Sequence, residues 1–267
     1  KGAVGYVPEV KNDRVCRFVF ENYNSLSFWH SQHKIHHLNK LLRQFDADCA
    51  LGAELQVQWD MADSNLRLEK LLMPGQQKRV AVGYNRHEAF SRSQHGGVSL
   101  ATFDRLSQFV LESGSDQHGL GRWVWMKISS GSLVTIVVVA YLPCKSKASA
   151  TANKQRRETV YNQQGRYFRG IGDVRCPRVI MVDHLGQQLA DWKEQGFQIL
   201  LFADANSDVY NGILAVELQR EEIRMADVCE AVLGHKSPNS HASGSLPITG
   251  VFATSDLVAQ NVFQSAH

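Results

Sequence analysis

Short unbroken apolar runs alternate along this chain with stretches in which apolar residues recur every third or fourth position, the signatures of buried strands and of amphipathic helices. Residues 15–20 (VCRFVF), Ala50 to Glu54, Val80 to Tyr84, Val98 to Phe103, Trp123 to Ile128, Leu133 to Leu142, Phe197 to Phe202 and Ile248 to Phe252 read as strands. The first of them runs into the polar turn Glu21-Asn22-Tyr23-Asn24. Helical spacing occurs over His33 to Phe45, with Ile35, Leu38, Leu42 and Phe45 on one stripe, and over Val179 to Gln195, with Val179, Val182, Leu185, Leu189 and Trp192 on one side and Gly196 just beyond. Asp63 to Leu72, stopped by Pro74-Gly75, and Gly212 to Glu222 are further helices. Ser129-Ser130-Gly131-Ser132 supplies a turn into LVTIVVVAYL, which is apolar on both faces and so belongs in the middle of a sheet covered on each side. Strands interleaved with helices, together with tight hairpins, predict an α/β protein with mixed sheets. No repeat, low-complexity tract or linker breaks the pattern, and one domain over residues 1–267 is expected.

Composition narrows this little. A hydrophobic fraction of 43% in 267 residues supports a substantial buried core, and 21% charged residues with a net charge of +3 are ordinary for a globular chain. The longest apolar run is too short to cross a bilayer as a helix, and no charged-then-apolar leader is present. The chain begins with Lys1, which predicts a piece of something longer. Cys16, Cys49, Cys144, Cys176 and Cys229 are odd in number, scattered and without a C-x-x-C pair, the usage of a free-thiol intracellular protein.

Candidate chemistry sits where strands end. One run leads into Asn22 and Asn24, a second into Glu54, a third into Asp204 and Asn206. Strand ends on one rim of a sheet bring distant side chains to one place. Hard oxygen donors of this kind suit Mg²⁺ or Mn²⁺, which take one or two carboxylates and leave other positions to water and phosphate. Singly, such residues are as well explained as caps and turn formers. From Lys145 to Arg178 the basic residues (Lys145, Lys147, Lys154, Arg156, Arg157, Arg166, Arg169, Arg175, Arg178) face only Glu158 and Asp173, an excess that favours a polyanion over a small neutral substrate; Lys145, Lys147, Arg156 and Arg157 are the candidate nucleic-acid contacts. His33, His36 and His37 lie opposite the apolar stripe of their helix with no third ligand in view, and read as a solvent-facing cluster. Trp123 and Trp125 fall on an alternating strand and read as packing.

At these positions the sequence resembles the endonuclease/exonuclease/phosphatase superfamily, which includes deoxyribonuclease I-like enzymes, apurinic endonucleases and endonuclease domains of non-LTR retroelements. FENYNSL is similar to its first strand and Asn-x-Asn/Asp turn, and FDADCALGAE to the segment bearing the metal-binding glutamate, here Glu54. HGGVSLATF resembles the central Gly-Gly strand, and VVVAYLPC the strand carrying the phosphate-contacting tyrosine, here Tyr141. ILLFADANSDV is similar to the Gly-Asp-x-Asn motif, mapping the catalytic aspartate to Asp204 and the phosphate-binding asparagine to Asn206. YLPCKSK, the DHLGQQLADWKEQG helix and LPITGVFATSDL resemble retroelement-type members most, which would imply a nuclear location. The resemblance implies a four-layer α/β sandwich of two packed mixed sheets flanked by helices. It further implies Mg²⁺- or Mn²⁺-dependent hydrolysis of a DNA phosphodiester, with Asp204, Asn206, Tyr141 and Asn22 catalytic and Glu54 and Asn24 at the metal.

Four departures bear on activity. Ala203 replaces the glycine before the aspartate, and Asn24 replaces a metal-side aspartate. Ile248-Thr249-Gly250 stands where the family carries an aspartate that orients a histidine, a task threonine cannot perform by charge. The closing Ser-Asp-His motif is not intact; the chain ends Ser265-Ala266-His267, so the domain is expected to lack its final strand or strands. A catalytically decayed nucleic-acid-binding relative and a small-molecule phosphatase of inositol or lipid head-group type therefore stand beside the DNA endonuclease as readings. No role is assigned to His241.

Overall fold

Two mixed sheets form the centre of the molecule, and each is organised by one parallel pair of strands. The computed structural model describes residues 11, 15–26, 32–57, 59, 64–87, 94–145, 159–239 and 245–260. The first sheet contains β1 (Phe18–Asn22), β2 (Cys49–Ala53), β3 (Lys78–Gly83) and β4 (Val98–Phe103) in the order β1-β2-β4-β3. β1 is parallel to β2, and the other pairs are antiparallel. The second contains β5 (Val110–Ser115), β6 (Trp123–Ser130), β7 (Leu133–Tyr141), β8 (Gln198–Asp204), β9 (Met225–Asp227) and β10 (Thr249–Thr254) in the order β5-β6-β7-β8-β10-β9, with β7 parallel to β8. The helices are α1 (His33–Gln44), α2 (Ser64–Leu71), α3 (Asp104–Gln108), α4 (Val160–Gly170), α5 (Pro177–Glu194), α6 (Ile213–Leu218), α7 (Val228–Leu233) and α8 (Ser255–Gln260).

Side-chain parity along β7 builds the layers. Val137, Val139 and Tyr141 point into the space between the sheets, where they meet Leu51, Val98, Leu100, Leu200 and Phe202. Ile136, Val138 and Ala140 point the other way, against Leu185, Leu189 and Trp192 of α5. On the far side of the first sheet, Ile35, Leu38 and Leu42 of α1 and Leu68 of α2 cover Ala50, Ala101 and Phe103. The result is helix, sheet, sheet, helix: the four-layer arrangement expected. Each fully buried Leu, Ile, Val or Phe contributes roughly 1.5–3 kcal/mol, so three contiguous cores make a rigid frame for the strand ends.

Local departures have physical causes. β1 starts three residues later than its apolar run and continues through Glu21 and Asn22, because each pairs with a residue of β2, Glu21 with Gly52 and Asn22 with Ala53. α5 begins at Pro177, so Val179 lies on the exposed side while Ile180 and Met181 are buried. α4 occupies part of the basic stretch between Lys145 and Arg178, to which the sequence pattern assigns no helix; Thr159 caps it by accepting from Asn162 N. β5, missed in the sequence, is an edge strand with a register shift between Val110 and Glu112. Trp123 is buried, and Trp125 packs edge-on against Trp192 with ring centroids 5.5 Å apart.

The loop between β5 and β6 holds a buried ion pair. Arg122 Nε and Nη2 donate to the two carboxylate oxygens of Asp116, each at 2.6 Å, with both side chains fully buried. Backbone N–H groups of His118 and Leu120 also donate to Asp116. Burial alone would raise the Asp116 carboxyl, but the Arg122 bonds and charge outweigh it and hold it below the usual carboxylate range. Arg122 Nη1 lies 3.2 Å from His184 Nδ1, and the guanidinium stacks over Trp123 at 4.5 Å. The carbonyl of Arg122 accepts from Tyr141 N, so this pair anchors the end of β7.

Candidate active site

Parallel pairing places C-terminal strand ends together. Asn22 ends β1 and Glu54 follows β2; Tyr141 ends β7 and Asp204 ends β8, the last two facing each other in register. Two hydrogen bonds then cross from sheet to sheet. Asn22 Nδ2 donates to Asp204 Oδ2 at 2.7 Å, and Tyr141 OH donates to Glu54 Oε1 at 2.7 Å. Asn22 Oδ1 accepts from Asn24 N at 2.9 Å, which folds the turn back on itself. Ser25 N donates to the Glu54 carbonyl, and Lys34 Nζ donates to the carbonyls of Tyr23 and Asn24. Gly52 is required here, since a Cβ at that position would fall inside the buried Tyr23 ring.

Asn206 is held at both ends of its amide. Nδ2 donates to Leu142 O at 2.8 Å, and Oδ1 accepts from the Cys144 thiol at 3.0 Å. One amide hydrogen is left over for another acceptor. Asn24, Ser25, Glu54, Gln56 and Asn206 all have positive φ (41°, 75°, 53°, 48° and 46°). Such conformations cost of order 1–3 kcal/mol each outside glycine and gather at functional sites.

The electrostatics are those of two carboxylates with few cations. Asp204 is 1% exposed. Burial first, and the nearby charge of Glu54 second, raise its carboxyl to about 6, against bonds from Asn206 and Asn22 and the charge of Arg178. Burial and the adjacent Glu54 also raise the Tyr141 phenol well above its ordinary value, so it stays a donor. Burial, Glu54 and Asp204 likewise raise the Cys144 thiol. Glu54→Gln should lower the Asp204 titration midpoint in metal-free protein, read by carboxyl carbon NMR against pH. An unmoved midpoint would leave burial as the sole cause.

The structure thus brings together Asn22, Glu54, Tyr141, Asp204 and Asn206, with the backbone of Asn24 beside Asn22 and its side chain exposed. Lys145 is exposed just past Tyr141. Lys147, Arg156 and Arg157 lie outside the described residues, as do His241 and Ser265-Ala266-His267. Arg175 pairs with Asp173 and Asp183, and Arg178 is buried, so neither is an open phosphate contact. His33, His36 and His37 are exposed. Thr249 stands opposite Asp204 in the β8–β10 register, and among the described residues no imidazole bonds to Asp204.

Solved structures share this architecture along nearly the whole chain. The 3′-phosphatase NExo from Neisseria, bound to product DNA hairpin, superposes with a TM-score of 0.56 at 11% identity over 92% of this chain and 89% of that one. The chain carries the endonuclease/exonuclease/phosphatase fold. An AP endonuclease from Archaeoglobus fulgidus aligns with a TM-score of 0.52 at 12% identity over 92% and 89% of the two chains. An endonuclease/exonuclease/phosphatase family protein from Leptotrichia buccalis C-1013-b aligns with a TM-score of 0.51 at 13% identity over 90% and 87%. No protein-family profile and no curated protein matches the sequence. At such identities the likeness speaks for the fold, and the chemistry must come from the site.

Among the described residues no three His, Cys, Asp or Glu side chains form a closed metal cage. Mg²⁺ does not need one, since one or two carboxylates with water and substrate phosphate complete its shell. Glu54 and Asp204 lie close enough for the charge of one to raise the proton affinity of the other, and their neighbours are amide and phenol groups. This hard, electron-rich donor set fits a divalent cation. No helix among the described residues is long and apolar enough to cross a membrane.

Proposed function

We propose that this chain is a divalent-metal-dependent phosphodiester hydrolase that cuts DNA as an endonuclease of retroelement type. The observation that carries the reading is the crossed pair of hydrogen bonds, Asn22 to Asp204 and Tyr141 to Glu54, which gathers two carboxylates, an amide and a phenol on one rim. Glu54, with an oxygen of Asn24, would hold Mg²⁺ or Mn²⁺, which when bound stabilises the negative charge of the transferring phosphoryl group. Asp204, with a proton affinity near neutrality, takes the proton of the attacking water as the water oxygen bonds to phosphorus and the P–O bond to the sugar breaks, the departing sugar oxygen taking a proton from solvent. The free amide hydrogen of Asn206 holds one phosphoryl oxygen, and the Tyr141 hydroxyl holds another by turning its single hydrogen from Glu54 to the phosphate. The polyanionic substrate follows from exposed Lys145 and the basic sequence after it; that three DNA-directed or endonuclease-family structures share the fold supports the same choice.

A second reading, a decayed nucleic-acid-binding relative, is favoured by Thr249 beside Asp204 and by the absence of an imidazole bonded to Asp204 among the described residues. Nicking of supercoiled plasmid in Mg²⁺ or Mn²⁺ tests both. Wild type is expected to nick, and Glu54→Ala and Asp204→Ala to lose at least about a hundredfold in rate. Equal trace nicking by all three proteins, with retained DNA binding, would establish the decayed relative. Phosphate release from inositol phosphates without nicking would move the substrate to the small-molecule class.

A further inference from the structure

Arg178 occupies a position that helix energetics disfavours twice. It is 3% exposed, and it lies in the first turn of the 18-residue helix α5, directly after Pro177. Buried cations ordinarily have an anionic partner, and helix N-termini favour negative rather than positive charge. Among the described residues, Arg178 makes no ion pair. Its guanidinium instead donates from Nη1 to Pro143 O at 2.7 Å and from Nη2 to Ala205 O at 2.8 Å. Those carbonyls belong to the residues just before Cys144 and Asn206. The same two loops are joined by Leu142 N to Asp204 O, Asn206 Nδ2 to Leu142 O, and Cys144 Sγ to Asn206 Oδ1. Arg178 is the single charged group in this set of bonds, and its field reaches Cys144, Tyr141 and Asp204.

The geometry points to Arg178 as a positioning residue for the hydrolysis: its fork locks the loop after β7 to the loop after β8, fixing the Asn206 amide, and its charge offsets the two carboxylates where a phosphate must enter. The inference rests on the hydrolytic reading above. A planar guanidinium reaches two carbonyls with fixed geometry, whereas an ammonium is a single point. The clamp and the charge are therefore separable by substitution.

Arg178→Lys keeps the charge and loses the fork; Arg178→Met loses both at similar length. In plasmid nicking, Arg178→Met is expected to lower kcat about a hundredfold and Arg178→Lys about tenfold, each with KM changed less than about threefold, as for misplacement of a group that acts on the transition state. In metal-free protein, Arg178→Met and Arg178→Lys should each speed amide hydrogen exchange at Leu142, whose N–H bonds across the two loops that the fork ties together. Circular dichroism and thermal unfolding establish that each variant is folded. Wild-type kcat in folded Arg178→Met overturns the proposal, and if that variant does not fold, wild-type kcat in Arg178→Lys does so. A rise in KM alone would make Arg178 a general binding charge and also overturns it. If wild type fails to nick, the hydrolytic reading falls by itself, and hydrogen exchange at the Leu142 amide in folded Arg178→Met still decides the clamp: exchange at the wild-type rate removes it.

Discussion

Asp116→Ala is expected to destabilise the protein by about 3–5 kcal/mol, the loss typical when one partner of a buried ion pair is removed. The cost comes from what is left behind. Arg122 would keep a fully buried guanidinium facing Trp123 and His184 with no anion, and the His118 and Leu120 amides would lose their acceptor. Because the Arg122 carbonyl accepts from Tyr141 N, the damage should reach the candidate site as well. The double variant Asp116→Leu/Arg122→Met removes both charges and should recover most of the loss, since a well-packed apolar pair often equals a buried salt bridge. Urea unfolding of the three proteins measures this. A loss under about 1 kcal/mol in the single variant would mean that water reaches Arg122 when Asp116 is absent.

Asp204→Asn is expected to behave in the opposite sense for stability while abolishing nicking. The Asp204 carboxyl titrates at about 6 in the folded protein, against 3.8 for a free aspartate side chain. The fold therefore favours the protonated form: this contribution is fully present below pH 3.8 and lost as pH rises through about 6. At pH 8 the buried charge costs up to about 3 kcal/mol, using 1.36 kcal/mol per pH unit. Asparagine carries no charge and offers an oxygen to Asn22 Nδ2, so it should stabilise metal-free protein by about 1–3 kcal/mol at pH 8 and by nothing measurable at pH 3.5. Denaturant midpoints at the two pH values in EDTA provide the check. Destabilisation at pH 8 would show that Arg178 holds the Asp204 charge at a net gain.

Which parts of this were legible in the sequence follows from where each preference originates. β4 and β7 were recovered to within a residue because segments of apolar and small hydroxyl residues without a single charge belong in a covered sheet centre. β5 was missed because edge strands need few apolar residues: Leu111 and Glu112 both face solvent. α4 was missed although Thr159 is a good N-cap, because its apolar stripe is diluted by Gln163, Gln164 and Arg166. At the site, Glu54 and Asp204 could be named from the strands they follow. That Asn22 would reach Asp204, and Tyr141 reach Glu54, depends on how two sheets are stacked, which no local pattern encodes. The burial of Arg178 was likewise hidden, since it reads as one more cation in a basic stretch; its place directly after Pro177, at the wrong end of a helix for positive charge, was the available signal.

The crossed hydrogen bonds also divide the site between two lengths of chain. The first sheet is built from residues 18–103 and the second from residues 110–254. Asn22 and Glu54 come from the former, and Tyr141, Asp204 and Asn206 from the latter. A backbone opened in the short connection around α3 would yield two fragments, neither holding all the side chains of the candidate site. Under the proposed hydrolysis, cleavage by such a pair would report their reassembly, with DNA itself as the readout of complementation.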